Sequence, residues 1–332
     1  VARNLAEWCA VDLRGEGREL ERVAESPDGG ARPKTGTEVV VPLVGREGPL
    51  GALTFGWDAP DRTASPEELG LAEDLCRRAA LAVENARLYA ERTHVARILQ
   101  QSLLPDRLPA IEGLEVDARL HAAGQAVGGD FYDLFEIGDG RWGFVLGDVC
   151  GKGVDAARLT ALTRYTVRAA SMRIASPDGV LEVLNDVLLR DRAGDVNLCT
   201  VAFAVITVEE GRVTLELTNG GHPLPLRIAG GRVDSAGGPG TILGAFREPD
   251  LTTLRLTLGR GDTLVFYTDG VIEAKDPARE VFGEPRLRDL LAELRDAPPD
   301  EVTAAIVEAA LRFQAGKVRD DIAVVAFRVP SA

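Results

Sequence analysis

Residues 141–154 read RWGFVLGDVCGKGV. The largely apolar run RWGFVLG has the composition of a buried strand. It ends at Asp148, and the glycine-rich turn VCGKG follows at once. A carboxylate placed where a buried strand meets a loop loses hydration, and only a cation or a hydrogen-bond donor restores it. The glycines of the turn let backbone and solvent come close to that carboxylate. One such aspartate means little, because aspartate commonly ends strands by starting turns.

Three more positions repeat the context. Asp130 follows VGG and opens the apolar stretch DFYDLFEI, Asp269 ends LVFYT before Gly270, and Asp320 and Asp321 precede IAVVAF. Four strand-end carboxylates in one chain point to a shared cation site. Hard divalent cations take oxygen ligands and keep several waters, and a pair of them can share a bridging carboxylate. Asp133, close beyond Asp130, suits a turn or strand-face role at least as well as a functional one. The 332-residue chain has only three histidines and no CxxC pair, so a zinc site is not expected.

Around these positions strands dominate from Pro105 to Arg328. Candidates are LEVDARLHA, DFYDLFEI, RWGFVLGDV, CTVAFAVITV, RVTLELTN, LTTLRLTL, DTLVFYTD and DIAVVAFRV. Helical periodicity marks 153–173, 177–190, 284–295 and 299–315, in two adjacent pairs. Tight turns such as IGDGRW and VEEGRV join neighbouring strands, so antiparallel sheets covered by paired helices fit better than alternating βαβ units.

Upstream the pattern changes twice. LAEWCAVDL with ELERVAES, and TEVVVPLV with PLGALTFGW, read as two hairpins of a small antiparallel sheet. Ser65-Pro66-Glu67-Glu68 then has the spacing of a capping box. Ala72, Cys76, Ala79, Val83, Ala86, Ala90 and Thr93 follow at alternating spacings of four and three, with Leu99 and Leu103 beyond. Such a seam fits either an amphipathic helix packed on its own sheet or a dimeric coiled coil. The helix runs on to Pro105, so its second half is expected to pair with a second copy.

The net charge of −14, with no clustered Lys or Arg, argues against a nucleic-acid surface. No apolar run is long enough for a membrane span, and VARNLAEWCAVDL lacks the features of a signal peptide. Cys9, Cys76, Cys150 and Cys199 lie far apart and are expected to be reduced thiols in a cytoplasmic protein.

In order along the chain, VGGDFYD, GDVCGKGVDAA, NGGHPLPL, FYTDGVIEA and RDDIAVVAF resemble the motifs of PPM-type protein phosphatases of the bacterial SpoIIE/RsbU branch. The resemblance covers essentially all of residues 95–328. It implies an α+β fold, the α/β/β/α sandwich of two antiparallel sheets. It also implies two divalent cations, Mn²⁺ or Mg²⁺, held by Asp130, Asp148, Asp269, Asp320 and the backbone carbonyl of Val149. Asp148 would bridge both ions and be the central catalytic residue, beside a water that attacks the phosphoryl group. The implied substrate is a phosphoserine on a regulatory protein of the anti-anti-sigma, STAS type. Residues 1–65 resemble part of a GAF-like sensor domain, with only PDGGARPKTG where such domains carry further helices and strands. Residues 66–104 would then form a connector and 105–330 the phosphatase domain, in a homodimer through 66–104.

No arginine precedes VGGD to hold a phosphate. Lys152 reads as a loop lysine facing solvent, His222 as the lock of a proline-rich loop rather than a general acid, and Cys150 as a small structural residue. A different class of function stays open: a catalytically silent regulatory module that binds partners or dimerises. A two-metal nuclease is disfavoured for want of histidine ligands and a basic groove.

Overall fold

The computed structural model describes residues 6–14, 19–26, 37–46, 48–59, 62–103, 105, 107–123, 128–191, 197–209, 211–316 and 318–331, with the backbone alone over 92–103. Residues 27–36, where the GAF-like region reads as abbreviated, lie outside these residues, as do the side chains of Thr93, Leu99 and Leu103. The chain divides into two compact units between Glu91 and Arg92.

The first unit is a four-stranded antiparallel sheet in the order β2-β1-β4-β3, built from β1 (Trp8–Arg14), β2 (Leu20–Ser26), β3 (Thr37–Gly45) and β4 (Gly48–Trp57). Helix α1 (Pro66–Leu103) begins at the expected capping box. There the Ser65 N–H donates to Glu68 Oε2 at 2.8 Å, and the Glu68 N–H donates to Ser65 Oγ at 3.2 Å. Ala72, Cys76 and Ala80 are buried against Val41, Leu43, Phe55 and Trp57 of the sheet. The start of the seam is therefore a domain core, the first of the two readings that its spacing left open. Small residues stand there because the helix lies close to the sheet. Further along, Ala86 and Ala90 are exposed, with Leu81, Leu88 and Tyr89.

The second unit stacks two five-stranded sheets. One has the order β11-β10-β13-β14-β5, where β5 is Glu115–His121, the other β12-β9-β8-β7-β6, where β12 is Thr253–Gly259, and all their ladders are antiparallel. The strands that matter most below are β6 (Asp130–Gly138), β7 (Arg141–Val149), β8 (Cys199–Glu209), β9 (Arg212–Gly220), β13 (Thr263–Tyr267) and β14 (Ile322–Arg328). Alternation along each strand divides three cores. Phe144 and Leu146 of β7 face Leu264 and Phe266 of β13 and Phe327 of β14 between the sheets. The Phe144 ring lies 4.7 Å from that of Phe266 and 4.8 Å from that of Phe327, tilted and edge-on as aromatic quadrupoles prefer.

The alternate residues face outward to helices. Val145 and Val149 pack with Leu159, Val167, Leu181 and Leu184 under α2 (Val154–Ser171) and α3 (Pro177–Arg190). Val265, Tyr267 and Val324 pack with Val271 of the one-turn α4 (Asp269–Ile272) and with Leu287, Leu291, Val302 and Ile306 of α5 (Gly283–Glu293) and α6 (Pro299–Phe313). The antiparallel sheets covered by paired helices, read from the element order, and the α/β/β/α sandwich that the resemblance implied are the observed architecture. The short hairpin of β10 (Leu226–Ala229) and β11 (Arg232–Ser235) and the one-turn α4 were not expected. Four-residue segments carry too few periods to register in a pattern reading.

Candidate metal centre

Adjacent strands deliver the first two carboxylates. In the β6–β7 ladder Asp130 pairs directly with Asp148. Asp130 is buried and Asp148 half-buried. From the other sheet, Asp269 follows β13 and begins α4, while Asp320 and Asp321 lead into β14. The pairing of β13 with β14 places these two groups at one end of that sheet. A cleft of about 150 Å³ opens between the sheets, lined among others by Gly129, Asp148, Val149, Asp320 and Asp321.

The carboxylates lie near enough for their charges to raise one another. Burial pushes the Asp130 carboxyl well above the usual range, and the negative charges of Asp148, Asp321 and Asp269 add to it. Asp148 is raised to about 7, first by burial, then by Asp269, Asp320 and Asp321. Burial, Asp320 and Glu273 raise Asp269, against backbone donors that hold it down. Anions crowd here for want of compensating charge, the situation a cation relieves.

The geometry of the glycines tests whether a cation fits. A Cβ on Gly129 would stand 2.1 Å from the Val149 carbonyl oxygen and 2.2 Å from Asp148 Oδ1. Those two oxygens therefore point into the same small space, which only a glycine leaves open. A Cβ on Gly128 would fall 1.7 Å from Asp321 Oδ2. The donors are all oxygens, the set that suits Mg²⁺ or Mn²⁺. Among the described residues no three Asp, Glu, His or Cys groups close on one point as a preformed cage.

Asp320 and Asp321 divide their tasks. Asp320 is exposed at the cleft and Asp321 is buried. Asp321 Oδ1 accepts the Ala123 N–H at 2.7 Å, which anchors the chain just past the strand Glu115–His121. One residue that sequence reasoning passed over, Thr268, also holds the site. Thr268 Oγ1 donates to Asp130 Oδ2 at 2.6 Å and accepts the Ala323 N–H at 2.9 Å, tying the sheets together at the carboxylates. Its place directly before Asp269 in FYTDG was the available signal. Asp133 lies fully buried on the opposite face of β6, with Arg164 Nε at 2.6 Å and Arg168 Nε at 2.8 Å. This clamp fixes α2, which follows the GKG turn, onto the strand that carries Asp130.

His222 is the expected lock. Its N–H donates to Asn219 Oδ1 at 2.6 Å, and Asn219 Nδ2 donates to the His222 carbonyl at 2.7 Å. Its Nδ1 lies 2.9 Å from Thr200 Oγ1, and Thr200 is the cross-strand partner of Asp148. Burial lowers its pKa to about 3, so the imidazole is neutral at physiological pH. Cys150 lines the cleft, with its thiol held up by burial and by Asp148 and Asp269, unlike an activated nucleophile.

Residues 138–330 match the family model for stage II sporulation protein E (SpoIIE). Asp148, Asp269 and Asp320 fall inside that span, and Asp130 just before it. Protein IcfG of Synechocystis sp. is 32% identical over 222 residues, which is 59% of this chain and 34% of IcfG. Phosphoserine phosphatase RsbU of Bacillus subtilis is 23% identical over 238 residues, 70% of this chain and 69% of RsbU. Of IcfG, then, the chain spans about a third. Among solved structures, the SiaA-PP2C domain of Pseudomonas aeruginosa superposes with a TM-score of 0.64 at 20% identity, covering 74% of this chain and 99% of that domain. A family match over more than half of the chain, on a sandwich shared with a PP2C domain, makes this protein a member of the SpoIIE family.

Proposed function

We propose that residues 105–330 hydrolyse phosphoserine or phosphothreonine on a protein, using two divalent cations, Mn²⁺ or Mg²⁺, held by Asp130, Asp148, Asp269, Asp320 and the Val149 carbonyl. The observation that carries this reading is the convergence of strand-end carboxylates from both sheets: Asp148, Asp320 and Asp321 line one cleft, and burial with neighbouring carboxylates raises Asp130, Asp148 and Asp269. When bound, such cations supply an activated water and neutralise phosphoryl charge. The chain does the rest. Asp148 Oδ1 and the Val149 carbonyl oxygen both border the space beside Gly129. Thr268 orients Asp130, and the Asn219–His222 lock keeps Thr200 in place behind Asp148.

By likeness to phosphoserine phosphatase RsbU the substrate group is a phosphoserine, and the motif resemblance puts it on an anti-anti-sigma, STAS-type regulator. Residues 1–65 then act as a GAF-like sensor and 66–104 as a connector that pairs two copies through its exposed second half, at Ala86 and Ala90. Four free thiols and the absence, among the described residues, of a helix long and apolar enough to cross a membrane agree with a cytoplasmic setting. Release of phosphate from a phosphoserine-bearing STAS domain tests the reading. The wild-type chain should turn over with Mn²⁺, and Asp148→Asn should retain less than about a tenth of that rate, a barrier rise of roughly 1.4 kcal/mol or more. Equal rates in the two would refute the role of Asp148.

A further inference from the structure

The lining of the metal cleft contains three carboxylates, Asp148, Asp320 and Asp321, but only one cationic side chain among the described residues, Lys152. No carboxylate of the described residues forms an ion pair with it. A lysine so close to three acids ordinarily pairs with one of them. The unpaired ammonium leaves its charge available to a ligand in the cleft.

The backbone around it is built for reach. Gly151 has φ +121° and Gly153 φ +77°, so the lysine sits between two left-handed residues in a tight turn. At neither glycine would an added Cβ meet any atom within 4 Å, so the turn stands clear of its surroundings. Lys152 is exposed, and its four-carbon stem is free to swing across the cleft mouth. The expectation of a lysine that only faces solvent leaves out its place in the wall of this cleft.

A phosphate monoester entering here brings up to two negative charges toward three carboxylates. Cations can offset the carboxylates, but the ester's own charge needs a further positive group. Lysine serves phosphate as a mobile point charge where no arginine fork is present. We infer that Lys152 binds the phosphoryl oxygens of the substrate, an inference that rests on the phosphatase reading of the same cleft. No covalent step is involved.

The test uses the full chain loaded with Mn²⁺. Inorganic phosphate is titrated calorimetrically and also used as an inhibitor of p-nitrophenyl phosphate hydrolysis, for wild type, Lys152→Met, Lys152→Gln and Lys152→Arg. In the Met and Gln variants the phosphate dissociation constant and the KM should rise about tenfold, with the Arg variant within about threefold of wild type. Mn²⁺ affinity and thermal melting should stay unchanged in all three. Unchanged phosphate affinity in Lys152→Met would overturn the inference. So would a loss of Mn²⁺ binding in both neutral variants, which would make the lysine a structural part of the turn. A defect seen only with a phosphoprotein substrate would also overturn it, and would assign Lys152 to contact with that protein's surface. If the wild-type chain binds phosphate but hydrolyses no ester, the phosphatase reading fails, and the phosphate titration alone still decides the role of Lys152.

Discussion

Asp130 and Asp148 stand directly opposite each other in the β6–β7 ladder, at the end of the sheet that borders the cleft. Like charges so placed destabilise a ladder, and burial adds to the penalty. The arrangement makes physical sense if a cation is to lie beside them, in which case stability without metal has been exchanged for a binding site.

From this follows the first prediction. In excess EDTA, Asp130→Asn and Asp148→Asn should each be more stable than wild type by about 1 kcal/mol. Urea titration of the metal-free proteins measures this. If both substitutions destabilise, the repulsion has been misjudged.

The second concerns pH. The folded-state pKa of Asp148 is about 7, above its unfolded value. Between roughly pH 4 and 7 the folded state therefore holds a proton that the unfolded state has released. The contribution of this group to metal-free stability should fall as pH rises through that window. Mn²⁺ must displace the proton, so its affinity should rise with pH and level off above 7. Calorimetry in buffers of different ionisation enthalpy should find proton release near pH 6 and little at pH 8. Proton-independent binding at both would contradict the prediction.

A third prediction falls on the Asp133 clamp. Asp133 has no exposed surface, and the Arg164 side chain is only 8% exposed. Asp133→Ala leaves a buried guanidinium without its partner and should cost about 3–5 kcal/mol. Asp133→Leu with Arg164→Met should recover much of that loss. Chemical denaturation of the three proteins tests the cycle.

Much of this was legible in the sequence, because buried strands announce themselves by apolar runs and their ends by Asp and Gly. RWGFVLGDV and DTLVFYTD became β7 and β13 with the aspartates where they were expected. The helical blocks over 177–190 and 299–315 likewise have clear periods. Asp133 was not legible as a clamp, since its partners Arg164 and Arg168 lie about thirty residues away on a helix. Nor did the seam of α1 show which half packs on its own sheet: Cys76 and Ala90 obey the same spacing, yet only Cys76 is buried.

That difference yields a fourth prediction. Cys76→Glu should unfold the N-terminal unit, because it inserts a charge into a closed core. Ala90→Glu should leave folding unchanged and abolish self-association. Light scattering combined with thermal melting separates the two, and a monomeric wild type would end the proposal of pairing through α1.

The central claim, a cation-dependent phosphatase site at Asp148, is tested most directly by hydrolysis of p-nitrophenyl phosphate as Mn²⁺ is titrated into metal-free protein. Turnover should rise from background with Mn²⁺, saturate, and return to background when EDTA exceeds the metal. Turnover that persists undiminished in excess EDTA would contradict the account.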